Sequence, residues 1–473
     1  MKTKMCLCKA MICLSVLYPA SGLAAPPAAP TSLPSVSKLT LHPSALTGLP
    51  FRYRMLPDAV DLQPGNAASL YMSACTLMSG FDTKENLAAL DETEDGPVDK
   101  IDRAKASKLL ASVAALRLVE LGARREYCHW DLPVREEGFS TLLPHLSQIR
   151  SICRLLSLQA KLQIADGKFD EAAHTIQTGL AIAKHLDSEG MLVQQLVGAA
   201  TTELMLGRVE QWITTAGSPN IYWSITDLPT PFFDLRSSLR AERAVTYWAI
   251  PHLKEAVDGK LTPEHFREMS AKVFQLYDIT ERSPEIRFAV QPKAGENDIA
   301  GLVSGAKVKL LAMGYPDKSL GGMSNEQMVG LWWGLSYEQA IQDCTKALAL
   351  PVYQDTSLMQ LAGATESRAQ ADPLNPILQV LPSMLWARLA MARVDRRIGE
   401  MRCLEMIRAY AAAHENAAPG SLAATPGVPA PIDPLTGLPF QYRVDAGLIV
   451  IEAPVPAGGQ SRHGWKAEIR LEK

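Results

Sequence analysis

The chain has 473 residues, with 47 basic and 50 acidic side chains, a formal charge of −3, and 47% hydrophobic against 6% aromatic residues. A chain of this size buries its own core and needs no covalent staples. No basic stripe and no aromatic-basic alternation runs along it, so phosphate backbones find no source of attraction and a nucleic-acid partner is not expected.

At the start, Lys2, Lys4 and Lys9 are followed by an apolar run over 10–17, then Pro19 and Gly22-Leu23-Ala24. This order of charge, short apolar stretch and small side chains predicts a secretory signal peptide over 1–24. The run is short for a bilayer and no cysteine follows a lipobox pattern. The expected product is therefore exported, periplasmic or in the cell envelope, with a signal anchor as the alternative if the leader is not cleaved. Later apolar windows such as 191–206 are interrupted by Gln194, Gln195 and Glu203, so no membrane span is expected after the signal. Loss of Lys2, Lys4 and Lys9 with the leader brings the charge to −6. It also leaves Cys75, Cys128, Cys153, Cys344 and Cys403, an odd, widely spaced set without a Cys-x-x-Cys pair. These read as buried thiols on helices with at most one disulfide.

Residues 25–64 are rich in proline and predict an extended segment, strand-like only over 51–55. Within it Leu46-Thr47-Gly48-Leu49-Pro50-Phe51-Arg52-Tyr53-Arg54 recurs at 435–443 with one change, Gln441 in place of Arg52. Each copy reads as a Thr-Gly turn running into a strand. The N-terminal copy then either pairs with the edge of the C-terminal sheet or lies against the helices.

A helical array is expected over 65–375. Asn66 caps a first helix through Leu70, Met72, Cys75 and Leu77. Asp91-Glu92-Thr93-Glu94-Asp95 beside Gly96-Pro97 reads as a solvated loop. A helix over about 99–127 stops at Trp130-Asp131-Leu132-Pro133. Helices over 142–165 and 170–185, broken at Asp166-Gly167, form a hairpin. Further helices are expected over 191–215, over 231–248 with Thr230 as cap and Pro231 at the first position, and over 263–277, 299–313 and 325–348. Between two of these, Tyr222, Trp223, Phe232 and Phe233 form an aromatic connection that could line a ligand groove, although large apolar side chains at a helix junction usually fill core. The region 376–473 reads as a long helix over 376–415 covering a three-stranded antiparallel sheet of 440–444, 448–452 and 467–471.

The fold class is thus mainly α: an irregular helical array with one hairpin, plus a small C-terminal helix-on-antiparallel-sheet module. The hairpin text, Ala160-x-x-x-Ile164-Ala165-Asp166-Gly167-x-Phe169-Asp170-Glu171-Ala172, resembles the turn of a tetratricopeptide repeat, with no second copy at the required period. Four segments together look like a group of exported, uncharacterised helical proteins of planctomycete bacteria. They are Arg124-Arg125-x-x-Cys128-x-Trp130-Asp131-Leu132-Pro133, the turn at Gly167, Tyr222-Trp223-x-x-Thr226-x-Leu228-Pro229, and Asp433-Pro434-x-Thr436-Gly437-x-Pro439-Phe440-x-Tyr442-Arg443. Leu438 departs from the Lys common in that last turn. The resemblance implies export and a helical fold and carries no catalytic residues. The C-terminal part also resembles, more weakly, a type II secretion pseudopilin head, through Pro419-Gly420-Ser421-Leu422 and Asp433-Pro434.

No phosphate loop, His-Glu-x-x-His, Gly-x-Ser-x-Gly or dinucleotide fingerprint is present. Cys128-His129-x-Asp131 gathers metal-ligand types at a helix stop and reads as structural, with Asp131 capping amides while Cys128 and Trp130 pack. His174 and His185 stand about 16 Å apart along one helix and cannot share an ion. No cofactor and no metal site is expected. Three functions stay open. One is a non-catalytic interaction or scaffold protein presenting a helical groove to a protein or peptide. The second is an enzyme assembled from dispersed residues around Glu126, His129 and Asp131. The third is a structural envelope component using the two repeated segments as paired edge strands.

Overall fold

A computed structural model describes residues 36–95, 101–111, 113–188, 190–277, 299–354, 374–380, 384–425, 427–456 and 464–472. The leader expected over 1–24 lies outside them. Among the described residues there are sixteen α-helices and one four-stranded sheet, with a further two-stranded pairing. The protein is mainly helical with a small C-terminal sheet module. No described helix is long and apolar enough to cross a membrane.

Asn66 accepts from the Ala68 N–H and caps α1, Ala67–Leu77. α2, Lys84–Asp95, continues through the acidic stretch read as a loop. Its C-terminal carbonyls, which disfavour acidic neighbours, are held by the buried Lys161 ammonium, 3.0 Å from Thr93 O and 2.6 Å from Glu94 O. Arg154 adds ion pairs to Asp91 and to Glu94. The single helix expected over 99–127 is instead α3, Arg103–Leu110, α4, Val113–Ala123, and a short strand β3, Arg125–Tyr127. β3 pairs in parallel with β2, Gln63–Asn66, which supplies the partners that end the helix early.

After α5, Val134–Glu137, the hairpin forms as expected from α6, His145–Ala165, and α7, Phe169–Leu186. Gly167 takes φ +71°, the Lys168 N–H reaches Gln163 O at 2.8 Å and the Gly167 N–H reaches Ile164 O at 3.0 Å. This double closure satisfies the last carbonyls of α6 and requires a residue free of Cβ penalty at the turn. α8, Leu192–Thr214, packs against both, so closely that a Cβ on Gly179 would stand 2.4 Å from Met205 Sδ. α9, Tyr222–Thr226, follows. α10, Leu235–Ala249, begins later than the Thr230-Pro231 signal suggested: Asp234 is its cap, accepting from the Arg236 N–H, and Pro231 follows a cis peptide bond. α11, Leu253–Val257, α12, Pro263–Tyr277, α13, Ile299–Ala312, α14, Asp317–Leu320, and α15, Asn325–Ala349, complete the array. α15 opens on a capping box between Ser324 and Gln327.

The last helix, α16, Met384–Ala413, is shorter than the 376–415 expected, because Pro376–Val380 form a 3₁₀ turn. The three C-terminal strands are present as β4, Gln441–Asp445, β5, Leu448–Ala453, and β6, Trp465–Leu471, with β4–β5 turning at Ala446-Gly447, both at positive φ. A fourth strand, β1, Val36–Leu41, pairs with β6 in parallel, giving the order β1-β6-β5-β4. The sheet is therefore mixed, and its first strand comes from the segment read as merely extended. Ile449, Ile451, Ala467 and Ile469 join one core cluster with Ile398, Met401 and Leu404 of α16. Phe440 is buried against Gly399 of that helix, while Tyr442 is half-buried with its hydroxyl donating to Pro419 O at 2.6 Å.

The two copies of the repeated segment do not fold alike. At 433–439 the Asp433 carboxylate accepts from the Leu435 N–H and the Thr436 hydroxyl, the Asp433 N–H reaches Leu438 O, and Ile432 bridges Pro439. The corresponding positions in the N-terminal copy are Pro43 and Ser44. Ser44 has no carboxylate, and its N–H is taken by Arg408 O at 3.1 Å. That copy turns rather than extends, and Tyr53 is buried edge-on to Trp212, with Arg52 paired to Asp170. Within the chain the two copies do not pair: residues 441–443 lie in β4 at the edge of the sheet, and the N-terminal copy forms no strand.

Arg408 holds this junction. Its guanidinium, fully buried with Glu405, donates to Glu405, to His42 O and to Ser218 O. Arg408→Ala leaves a buried carboxylate uncompensated and is expected to lower the unfolding free energy by about 3 to 5 kcal/mol in denaturant melts. A loss below about 1 kcal/mol would mean that the pair does not hold the chain ends.

Candidate functional site

Glu126 lies on β3 and His129 and Asp131 on the loop after it; all three are exposed. The Asn66 amide clamps this loop, donating to His129 O at 2.7 Å and accepting from the His129 N–H at 2.9 Å. Asp131 takes φ +52°. Cys128 and Trp130 are buried, as expected, though Cys128 sits on the loop and not on a helix. Among the described residues none of the five cysteines is in a disulfide.

Trp130 has a packing role that explains the helix stop. Its ring stacks on His145 at 4.5 Å and lies 5.8 Å from Tyr71, and its N–H donates to His185 O. The Tyr71 hydroxyl meets His185 Nδ1 at 2.7 Å. Burial pushes both imidazoles down to about 4, so they are neutral near neutrality and form a packed column. His174 stands apart on the surface against Glu120 and Arg124. Of the aromatic connection, Tyr222, Phe232 and Phe233 are buried and Trp223 is half-buried, and Phe233 also lines the cleft described below.

Two cavities bear on function. One, of about 520 Å³, lies between α2 and α3 and is lined by Glu85, Glu92, Lys105 and Lys108, charged groups on exposed helix faces. The other, of about 430 Å³, is formed by the 230–236 turn, the end of α15 and the flank of α16. Phe233 and Leu235 make one wall, Leu348, Leu350 and Val352 the other, and Met391 and Ala392 the floor. This mostly apolar cleft with a few placed polar groups has the make-up of a binding site, so it is the stronger candidate despite its smaller volume. Glu126, His129 and Asp131 line neither cavity.

The polar groups of the cleft are tied to the backbone that builds it. Arg388 donates to Ala347 O and Leu350 O and so caps α15. Asp234 pairs with Arg236 at the rim. Asp395 accepts from the Phe232 N–H at 2.8 Å. Burial raises its carboxyl to about 6, against the pull of that N–H and of Lys184.

A second cluster was not anticipated from the sequence. On α11 and α12, Glu255 bridges two stacked imidazoles at their edge, its oxygens 3.0 Å from His252 Nδ1 and 2.6 Å from His265 Nδ1, with the rings 3.8 Å apart. His252 Nε2 meets Glu268 at 3.0 Å. Glu255, and beyond it Glu268, hold His252 above the usual imidazole range, while His252 and His265 hold Glu255 below the usual carboxylate range. The signal that could have found it is a spacing used twice: His252-x-x-Glu255 and His265-x-x-Glu268.

No protein family, curated protein or solved structure matches the chain.

Because the Asp395 pKa is raised on folding, its contribution is largest when the carboxyl is protonated, below about pH 4, and is lost as pH rises through about 6. Asp395→Asn keeps an acceptor for the Phe232 N–H and removes the buried charge. The variant should be more stable than the parent at pH 8, by on the order of 3 kcal/mol, and equal to it at pH 4. Thermal melts showing the same difference at both pH values would refute the charge burial.

Proposed function

We propose that this is an exported, non-catalytic binding protein of the cell envelope that takes an extended apolar segment of a partner polypeptide into the cleft between α10, α15 and α16. The observation that carries the reading is the make-up of that cleft: apolar walls and floor, with Arg388, Asp395 and Asp234 engaged in the hydrogen bonds that shape it. Catalysis needs groups held ready for a substrate in mutual reach, and an acid-base pair of that kind is not what this lining offers. Apolar burial supplies affinity for a side chain that enters. Export is supported by the order of charged, apolar and small residues over 1–24, and by the resemblance to exported helical proteins of planctomycetes. β1 begins at Val36, so cleavage after Ala24 spares every described element.

Leu350 is 48% and Tyr353 42% exposed at the cleft rim, with the Tyr353 ring lying over Gly437. The double variant Leu350→Asp, Tyr353→Asp should still unfold in one cooperative transition, with at most a modest fall in melting temperature from the lost Tyr353–Gly437 packing. It should recover a partner from solubilised envelope at least about tenfold less efficiently than the parent does. Equal recovery of the same partner by both proteins, or no partner specific to the parent, would overturn the reading.

A further inference from the structure

The loop between α11 and α12 brings two imidazoles and a carboxylate to one place, and the sequence arranges each half identically. His252 opens α11 and Glu255 follows one turn later; Thr262 and Pro263 start α12, placing His265 and Glu268 one turn apart on it. His252 Nδ1, a Glu255 oxygen and His265 Nδ1 all lie within 4.8 Å of one another. Donors bound to one zinc ion at about 2.1 Å stand about 3.4 Å apart in a tetrahedral arrangement, so the Glu255 contacts of 3.0 and 2.6 Å open slightly and the stacked rings turn until both Nδ1 atoms point at the ion.

The base beneath these donors is rigid. A Cβ at Gly330 of α15 would meet Leu261 at 2.4 Å, and one at Gly334 would meet Val257 at 2.8 Å, so the hairpin rests directly on the α15 backbone. His252 is held at φ +57°, a conformation uncommon for a residue other than glycine or asparagine, which aims its ring at Glu255. Glu268 bonds the Nε2 side of the same ring, the arrangement in which an outer carboxylate fixes an imidazole so that the opposite nitrogen faces an ion.

We propose that His252, Glu255 and His265 bind a divalent transition-metal ion of the zinc class, with Glu268 positioning His252. Two imidazole nitrogens and one carboxylate suit zinc, cobalt, nickel or copper and not magnesium or calcium, which take oxygen donors. All three ligands are partly exposed, so water completes the coordination. The ion ties the end of α11 to the start of α12 across the 258–262 turn. This site is separate from the cleft and does not rest on the function assigned there.

The test uses the full mature chain, freed of metal with chelator and titrated with Zn²⁺ and Co²⁺ by calorimetry and visible absorption. Mg²⁺ and Ca²⁺ serve as controls. One equivalent of Zn²⁺ should bind and raise the melting temperature, and Co²⁺ should give a low-symmetry ligand-field spectrum. His252→Asn keeps a residue that accepts the left-handed backbone, and with His265→Gln it should abolish both signals while the metal-free melting temperature shows the chain still folded. Glu268→Gln, which touches no ion, should weaken Zn²⁺ by about 10- to 100-fold and leave the cobalt spectrum unchanged in form at saturation. Absence of Zn²⁺ binding, binding that survives in the double variant through the free thiols, or equal binding of Mg²⁺ would each overturn the proposal.

Discussion

The guanidinium of Arg408 is the point through which the segment after β1 and the loop before α9 are fastened to α16. Burying a charge of this kind is costly unless each donor finds an acceptor, and here each does: Glu405 takes Nη1, His42 O takes Nε, and Ser218 O and its hydroxyl take Nη2. Glu405 is committed in turn. Burial pushes its carboxyl up, and Arg408 and the Ile221 N–H, bonded at 3.1 Å, push it back. Asn220 then donates to Glu405 O and to Ser44 O, so the loop before α9 and the N-terminal segment meet on one helix. His42 directly follows β1, and fixing its carbonyl fixes where that strand leaves the helices. The parallel pairing of β1 with β6 depends on this, and it covers an edge of β6 that would otherwise template association. The pairing joins residues near opposite ends of the chain, so it carries a high loop-closure cost.

The helices were legible wherever an apolar stripe ran uninterrupted between clear stops. The α6–α7 hairpin with Gly167, and α12 at Pro263–Tyr277, fall where the pattern put them. Three misreadings share one physical cause, a tertiary partner that a local signal does not reveal. Residues 99–127 carry one helical period, yet β2 captures Arg125–Tyr127 as a strand. Thr230-Pro231 looks like a helix start, yet Asp234 provides the carboxylate that caps α10. Val36–Leu41 alternates like any strand, but prolines around it hid a segment only six residues long whose pairing lies at the far end of the chain. The repeated nonapeptide failed for the opposite reason: nearly identical text folds differently because the flanking residues differ, Asp433 in one case and Ser44 in the other.

The sites were less legible than the fold. Glu126, His129 and Asp131 were attractive because their types cluster within six residues, but proximity along the chain led them to an exposed loop, not to a cavity. The cleft draws its lining from segments around 230–236, 348–353 and 388–395 that are far apart along the chain, and no spacing rule encodes that meeting. The His-Glu cluster lies between these cases. Its two halves repeat one helical spacing thirteen residues apart, a pattern visible in the text once both halves are compared, but only the turn at 258–262 makes them face each other.

One helix bears on both places. The C-terminal end of α15 forms a wall of the cleft, while Gly330 and Gly334 in its middle carry the α11–α12 hairpin. From Gly334 to Leu348 the axis runs about 21 Å, too far for one ligand to touch both. A shared helix transmits position, but coupling between sites requires an element with two arrangements whose balance each ligand shifts. α15 runs unbroken over Asn325–Ala349, and Arg388 holds its last carbonyls in one arrangement. Metal at the hairpin should therefore leave the cleft unchanged. Zn²⁺ at saturation is expected to alter partner affinity by less than the roughly fivefold that marks weak allosteric coupling. A larger change in calorimetric titrations, lost in His252→Asn, His265→Gln, would show that α15 has a second position that its packing does not reveal.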